Sequence, residues 1–258
     1  MILMQQNLIN EMDEVSRKIE YLVGSATTIN EMRELAAKTP FDNEIIDFLN
    51  TLSKMLMKLP EAKMYPDVIT LAFWMRKSSV MELRKRFMKQ TKDIVLGRGT
   101  AFHIAPSNVP VNYAYSLVTG LLTGNANIVR IPSKEFPQVS IINKAIKSIL
   151  EEYPNVARYI CLVRYERDPN INDLISGIAD IRIIWGGDNT IKEIRKSPLG
   201  ARANDVTFAD RYSLAVIDSE QYLAVDDKER LAEEFYNDTY LSDQNACTSP
   251  RMVVWLGN

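Results

Sequence analysis

Apolar positions recur at three-and-four spacing through residues 10–22, 28–38, 43–59 and 65–91, which predicts four helices with one buried face each. Thr28 and Asp42 stand where N-caps belong. The period changes at Asp93. Ile94-Val95-Leu96 and the run 101–105 read as short strands on either side of a Gly97-Arg98-Gly99 turn. Strand and helix then alternate: helices at 111–123, 136–153, 170–178, 189–197 and 226–237, strands at 126–131, 160–164, 181–185 and 214–217, and a last apolar strand at 252–256. That rhythm predicts an α/β fold, a Rossmann-type parallel sheet covered by helices and preceded by a helical N-terminal segment, 1–92. No internal repeat or low-complexity linker marks the boundary, which rests on the change of period alone.

Composition narrows the function classes. A chain of 258 residues can bury a sizeable core. Its 33 acidic and 31 basic side chains nearly cancel, so no basic face advertises nucleic acid and small molecules are the expected partners. The N-terminus has neither a basic n-region nor a long apolar h-region, and no later stretch has the length of a membrane span. The expected location is the cytoplasm. Its reducing conditions suit two distant cysteines, Cys161 and Cys247, whose spacing suggests neither a disulfide framework nor a metal site.

In an open parallel sheet, ligands bind beyond the carboxyl ends of the strands, so the turns that follow them are the candidates. Pro106-Ser107-Asn108-Val109-Pro110 is a rigid polar elbow that can hold an amide toward such a crevice. Arg130, Ser133 and Lys134 put two cations and a hydroxyl at one strand end, a set suited to a ribose or a phosphate. Gly186-Gly187 lets a helix N-terminus approach a pyrophosphate, although it is not a GxGxxG fingerprint. Cys247 lies in the polar loop Asp243-Gln-Asn-Ala-Cys-Thr-Ser-Pro-Arg251, where sulfur is approachable and backbone N–H groups can stabilise charge on a carbonyl oxygen. Cys161 reads as a core residue. His103, the single histidine, alternates with Phe102 and Ile104 and reads as a satisfied, partly buried imidazole. Asn108 also has a local reading, as cap of the helix that follows it. Trp74 and Trp185 read as anchors of the core or of an interface.

The segments Ile104-Ala-Pro-Ser-Asn108-Val-Pro110 and Gly120-Leu-Leu-Thr-Gly124-Asn125-Ala-Asn-Ile-Val-Arg130 resemble the asparagine elbow and the following strand of the aldehyde dehydrogenase superfamily. With Phe73-Trp-Met-Arg-Lys77 and Gln244-Asn-Ala-Cys247-Thr-Ser-Pro-Arg251, the chain is more closely similar to its acyl-CoA reductase (LuxC-like) family, typified by the fatty acid reductase subunit of bacterial luminescence. The resemblance covers nearly the whole chain. It implies an aldehyde dehydrogenase-like fold, with Cys247 as the nucleophile that takes the acyl group and Asn108 as a side-chain donor to the acyl oxygen. Pro106, Ser107, Arg130, Ser133, Lys134, Gly186 and Gly187 would then bind the cofactor, in an NAD(P)-binding domain at 93–240. Arg130 falls where the superfamily has a ribose-binding lysine. Ser133 replaces the glutamate of NAD-preferring relatives, so NADPH is the implied cofactor.

Departures from the pattern matter as well. A serine of the superfamily's pyrophosphate loop is glycine here, and a later glycine is Ile191. The stretch 207–213 lacks the glutamate motif that activates water in oxidising members, and a thioester protected from water can await hydride, so reduction is implied. The implied reaction turns a fatty acyl-CoA or acyl-carrier thioester into an aldehyde, with an acyl-transferring partner enzyme and a homo-oligomer of the full-length form. In the superfamily a second α/β lobe follows the cysteine loop, so the sequence reads as truncated, with 241–258 as the start of that lobe and 252–256 as a strand without partners. Two other readings remain: an NAD(P)-dependent aldehyde dehydrogenase running oxidatively with Asp210 as base, and a non-catalytic nucleotide-binding subunit of an acyl-transfer complex.

Overall fold

The structure is a computed structural model that describes residues 17–90, 93–240 and 243–257. They divide into two compact units, one ending at Phe208 and one beginning at Ala209. In chain order the first unit contains β1 (Glu20–Val23), α1 (Ala26–Met32), α2 (Asn43–Lys58), α3 (Pro60–Lys63), α4 (Pro66–Trp74) and α5 (Lys77–Gln90). It continues with β2 (Thr100–Ile104), α6 (Asn112–Leu122), β3 (Ala126–Arg130), α7 (Pro137–Leu150), α8 (Pro154–Ala157) and β4 (Ile160–Arg164). It closes with α9 (Pro169–Ile178), β5 (Ile181–Trp185), α10 (Asp188–Ile194) and β6 (Asn204–Phe208). Among the described residues no helix is long and apolar enough to cross a membrane.

The six strands form one sheet in the order β1-β4-β3-β2-β5-β6, parallel except for β1, which runs antiparallel to β4. β2, β3 and β4 are buried from end to end apart from the last residues of β3 and β4, as a parallel sheet covered on both faces requires. Helices α6 and α7 lie on one face, and α2 packs over them. Its apolar stripe, Ile45, Ile46, Phe48, Leu49, Leu52 and Leu56, is buried, and Asp42 caps its first turn by accepting from the N–H groups of Glu44 and Ile45. On the opposite face Arg182 is only 1 % exposed. Its guanidinium makes a two-pronged bond to Asp205, at 2.8 and 3.2 Å, and donates to Ser176 Oγ and to the Ser197 carbonyl at 2.9 Å each. One buried side chain thereby ties β5, β6, α9 and the turn after α10 together.

Several sequence expectations change. The helix expected over 10–22 is, where described, the strand Glu20–Val23, while 10–16 lie outside the described residues. Ile19, Tyr21 and Val23 fit an alternating pattern as well as a helical one, and the open edge of β4 decides for the strand. The expected helix 28–38 is Ala26–Met32. Its N-cap is Ser25, and Thr28 is the reciprocal partner in a capping box rather than the cap. Beyond it, Lys38 leaves helical geometry to bond Gly124 and Gly97 through its own N–H and carbonyl. The expected helix 65–91 is two helices, interrupted where Arg76 Nε and Ser79 Oγ both donate to the Phe73 carbonyl; Thr91 lies outside the described residues. Ile94-Val95-Leu96 is not a strand, and Ile94 is 92 % exposed. β6 has no counterpart among the expected strands.

The second unit holds β7 (Ser213–Asp218), α11 (Ser219–Ala224), α12 (Lys228–Tyr240) and β8 (Pro250–Leu256). β7 does not extend the large sheet, as the strand expected at 214–217 would have done; it pairs in parallel with β8 as a separate two-stranded sheet. The strand expected at 252–256 therefore has a partner. Tyr222 of α11 meets Trp255 of β8 edge-on, with ring centroids 5.0 Å apart. Leu214, Val216, Met252 and Leu256 remain exposed.

Breaking the buried ion pair tests the sheet's far edge. Asp205→Ala leaves Arg182 charged and unpaired, and is expected to cost about 3–5 kcal/mol in urea unfolding. The double variant Arg182→Met/Asp205→Ala should recover most of that loss, because the buried charge is gone.

Candidate active site

The strand order places a crevice. From β2 the chain winds outward through β3 and β4, then returns to the other side of β2 for β5 and β6. The loops after β2 and β5 therefore diverge, and β2/β5 is the switch point of the sheet. Those loops are Pro106–Pro110 and Gly186-Gly187, so the structure brings the elbow and the glycine turn to adjacent strand ends. The Ala105 N–H still bonds the Arg130 carbonyl at 3.1 Å, and the chain leaves the sheet at Pro106. Ser107 and Asn108 are exposed there. The N-cap of α6 is Val111, whose own side chain makes no capping bond. Gly187 is the N-cap of α10, and a Cβ on Gly186 would press on Thr190 at 3.0 Å.

Arg130 ends the next strand, β3, and Ser133 and Lys134 follow it. Ser133 and Lys134 are exposed, and the Lys134 ammonium lies 4.7 Å from the Phe136 ring centroid. Arg130 is more constrained. Its Nη2 donates to the Tyr165 carbonyl at 3.3 Å, and its guanidinium carbon sits 4.4 Å from the Tyr165 ring centroid. The Tyr165 hydroxyl in turn donates to Asn172 Oδ1 at 2.8 Å, so Arg130 is braced at the strand end.

Cys247 belongs to the second unit. Its loop enters through Asp243 and Gln244, both left-handed with φ of 50° and 57°. Ser213 Oγ donates to the Cys247 carbonyl at 2.7 Å, and the Ser249 N–H bonds the Ala246 carbonyl at 3.1 Å. The backbone at Cys247 is thus tied to the first residue of β7 while the residue stays exposed. Cys161 is the opposite case. It is buried under α1, its thiol is pushed up to about 12 by desolvation, and it holds its proton in the folded chain.

A sequence profile described as acyl-CoA reductase (LuxC) matches residues 7–257, which include the elbow, the glycine turn and the Cys247 loop. The chain belongs to that family. Within it, the long-chain acyl-protein thioester reductase of Aliivibrio fischeri is 25 % identical over 163 residues, covering 62 % of this chain and 33 % of the relative. The long-chain acyl-protein thioester reductase 2 of Photobacterium leiognathi is 27 % identical over 167 residues, covering 63 % and 33 %. The aligned part of the chain thus spans about a third of these relatives' length. Among solved structures, the betaine aldehyde dehydrogenase of Staphylococcus aureus in complex with NAD+ aligns with TM-score 0.60 at 13 % identity, covering 89 % of this chain and 50 % of that one. The HpcC protein of Thermus thermophilus gives 0.61 at 12 %, covering 89 % and 47 %. The aldehyde dehydrogenase-like fold is therefore shared.

Sequence reasoning missed one cluster that this LuxC-family chain builds beneath the crevice. His103 is 1 % exposed, with Nδ1 2.7 Å from Ser116 Oγ and Nε2 3.0 Å from Asn127 Oδ1. Asn127 gives its amide hydrogens to the Asn125 and Tyr159 carbonyls, so its oxygen accepts, His103 donates from Nε2, and Nδ1 accepts from the Ser116 hydroxyl. Ser116 Oγ accepts in turn from Trp185 Nε1 at 3.1 Å. A methyl on Gly120 would collide with Asn127 Oδ1, which explains a glycine inside α6. The lone histidine was legible as a satisfied imidazole; nothing in the spacing singled out Ser116.

Burial lowers the His103 pKa from 6.5 to about 4, against a smaller opposing pull from the Asn127 bond. Above pH 6.5 folded and unfolded chains both carry neutral imidazole, and the associated stability is fully present. As pH falls from 6.5 through 4 the unfolded chain takes a proton that the folded chain refuses, so stability is lost across that window, on the order of 3 kcal/mol at about 1.4 kcal/mol per pKa unit. Urea midpoints followed from pH 7.5 downward should show this loss in the parent chain. In His103→Gln the slope should be shallower, from a lower stability at neutral pH.

Proposed function

We propose that this chain carries the cofactor-binding and nucleophile-bearing part of a fatty acyl thioester reductase, with 93–240 as the NAD(P)-binding portion and 241–258 as part of the catalytic lobe. The observation that carries this reading is a family match running through an exposed Cys247 held in its loop by Ser213. The long-chain acyl-protein thioester reductase names of the relatives support a fatty acyl thioester, on coenzyme A or a protein carrier, as substrate.

The residues present fit a nicotinamide dinucleotide. Side-chain-free Gly186 and Gly187 stand at one strand end of the switch-point crevice, and a braced cation ends β3 with two exposed polar side chains following it. Pro106, Ser107, Gly186 and Gly187 would hold its central part, and Arg130, Ser133 and Lys134 the adenosine ribose. No carboxylate occupies position 133, which favours NADPH over NADH. When bound, the cofactor supplies a hydride.

The chain's own residues do the acyl chemistry. The Cys247 sulfur attacks the acyl carbonyl carbon, a new C–S bond forms, and the donor thiol leaves with its electron pair and takes a proton. The Asn108 amide donates to the acyl oxygen as charge builds there. After reduction the Cys247 sulfur departs with its bonding pair, and the aldehyde is released. The need for a reduced thiol and a reduced nicotinamide pool supports the cytoplasm as the site of this work. In this reading the enzyme works as a homo-oligomer served by an acyl-transferring partner.

Mixing the protein with a long-chain acyl-CoA and weighing it intact should show an acyl adduct on the parent chain and none on Cys247→Ala. Adding NADPH should discharge the adduct with formation of aldehyde. An adduct that persists in Cys247→Ala, or one that only water removes, would overturn the reductase reading.

A further inference from the structure

The hydrogen-bonded chain Trp185–Ser116–His103–Asn127 runs through β5, α6, β2 and β3, the elements on both sides of the switch point. Its outer end is the residue next to the glycine turn. Trp185 closes β5 and Gly186 follows it directly. In register Trp185 pairs with Phe208, and the two rings stack at 3.9 Å with 10° between planes, which fixes the indole plane from the side of β6. From the other side Ser116 fixes the indole N–H. Ser116 lies in α6, the helix launched by the elbow that carries Asn108.

No hydrogen-bond ladder joins a helix to a strand, so the height of α6 over the sheet depends on packing and on such side-chain bonds. The Ser116 hydroxyl belongs to a residue only 5 % exposed, accepts from Trp185 and donates to His103, so both its roles are filled by the two walls of the crevice. Removing it leaves the imidazole nitrogen buried without a partner and the indole N–H of half-buried Trp185 without its acceptor, and the simplest relief is for the end of β5 to shift away from α6 so that water reaches both.

We propose that Ser116 is a positioning residue of the cofactor crevice: by clamping Trp185 to α6 and β2, it sets the distance between the Gly186-Gly187 turn and the elbow bearing Asn108. The proposal rests on the reading of that crevice as the nicotinamide cofactor site, and it is tested first without any cofactor.

Amide hydrogen exchange on the whole protein should speed up in the peptide covering 186–191 in Ser116→Ala and in Trp185→Phe, while β3 and β4 keep their protection. NADPH affinity, followed by reduced-nicotinamide fluorescence, should weaken about tenfold in each variant. The double variant should be little worse than either single one. Ser116→Thr, which keeps the hydroxyl, should restore both readouts. A Ser116→Ala protein that melts at a lower temperature but keeps parental exchange at 186–191 and parental NADPH affinity would overturn the clamp and leave Ser116 a stabilising residue only. If the parent chain binds no NADPH, the cofactor reading fails, and the exchange experiment still decides the clamp.

Discussion

Every functional position in the first unit depends on where the sheet changes its direction of winding. Parallel strands need long connections, and each connection must cover a face. A chain that starts at the sheet centre and builds first to one side and then to the other leaves its first and fourth parallel strands side by side with their following loops pulled apart. Here those strands are β2 and β5. The gap comes from connectivity, and the residues flanking it, a proline-bounded elbow and a pair of glycines, suit a gap because they hold or yield backbone without filling it.

Below the gap the sheet is continuous, β2 and β5 pairing in unbroken register, and buried polar groups flank that pair on both faces. His103 and Arg182 are the two buried groups that a water-free interior tolerates least, and they sit on opposite faces next to the switch point. They are handled differently. The imidazole stays neutral and is satisfied by neutral partners; the guanidinium stays charged and is matched by Asp205 with two further acceptors. Each arrangement crosses between elements that no backbone ladder connects.

The sequence revealed those parts whose causes are local. Strands at 160–164 and 181–185, the helix beginning after Asp42, and the elbow between two prolines are set by period, cap and ring chemistry within a few residues. What it hid is set at a distance. β1 forms because β4 has an open edge, α1 stops because Lys38 is needed by Gly97 and Gly124, and β7 leaves the large sheet to join β8. Of the candidate residues, the glycines and the elbow stand together at the crevice, Arg130 is partly engaged by Tyr165, and Cys247 lies exposed in the second unit. Ser116 had no signature, because a serine in an apolar helix becomes telling only when an indole and an imidazole converge on it.

The antiparallel edge strand sets an order of events during synthesis. Glu20 and Arg164 meet across β1 and β4 although they stand 144 positions apart in sequence, so β1 emerges from the ribosome long before its partner exists. A nascent chain must carry Tyr21, Leu22 and Val23 unpaired until β4 has been made and docked on β3. Closing that edge is therefore a step that waits for β4, and any factor that shelters the nascent β1 segment would act in the interval before Arg164 appears.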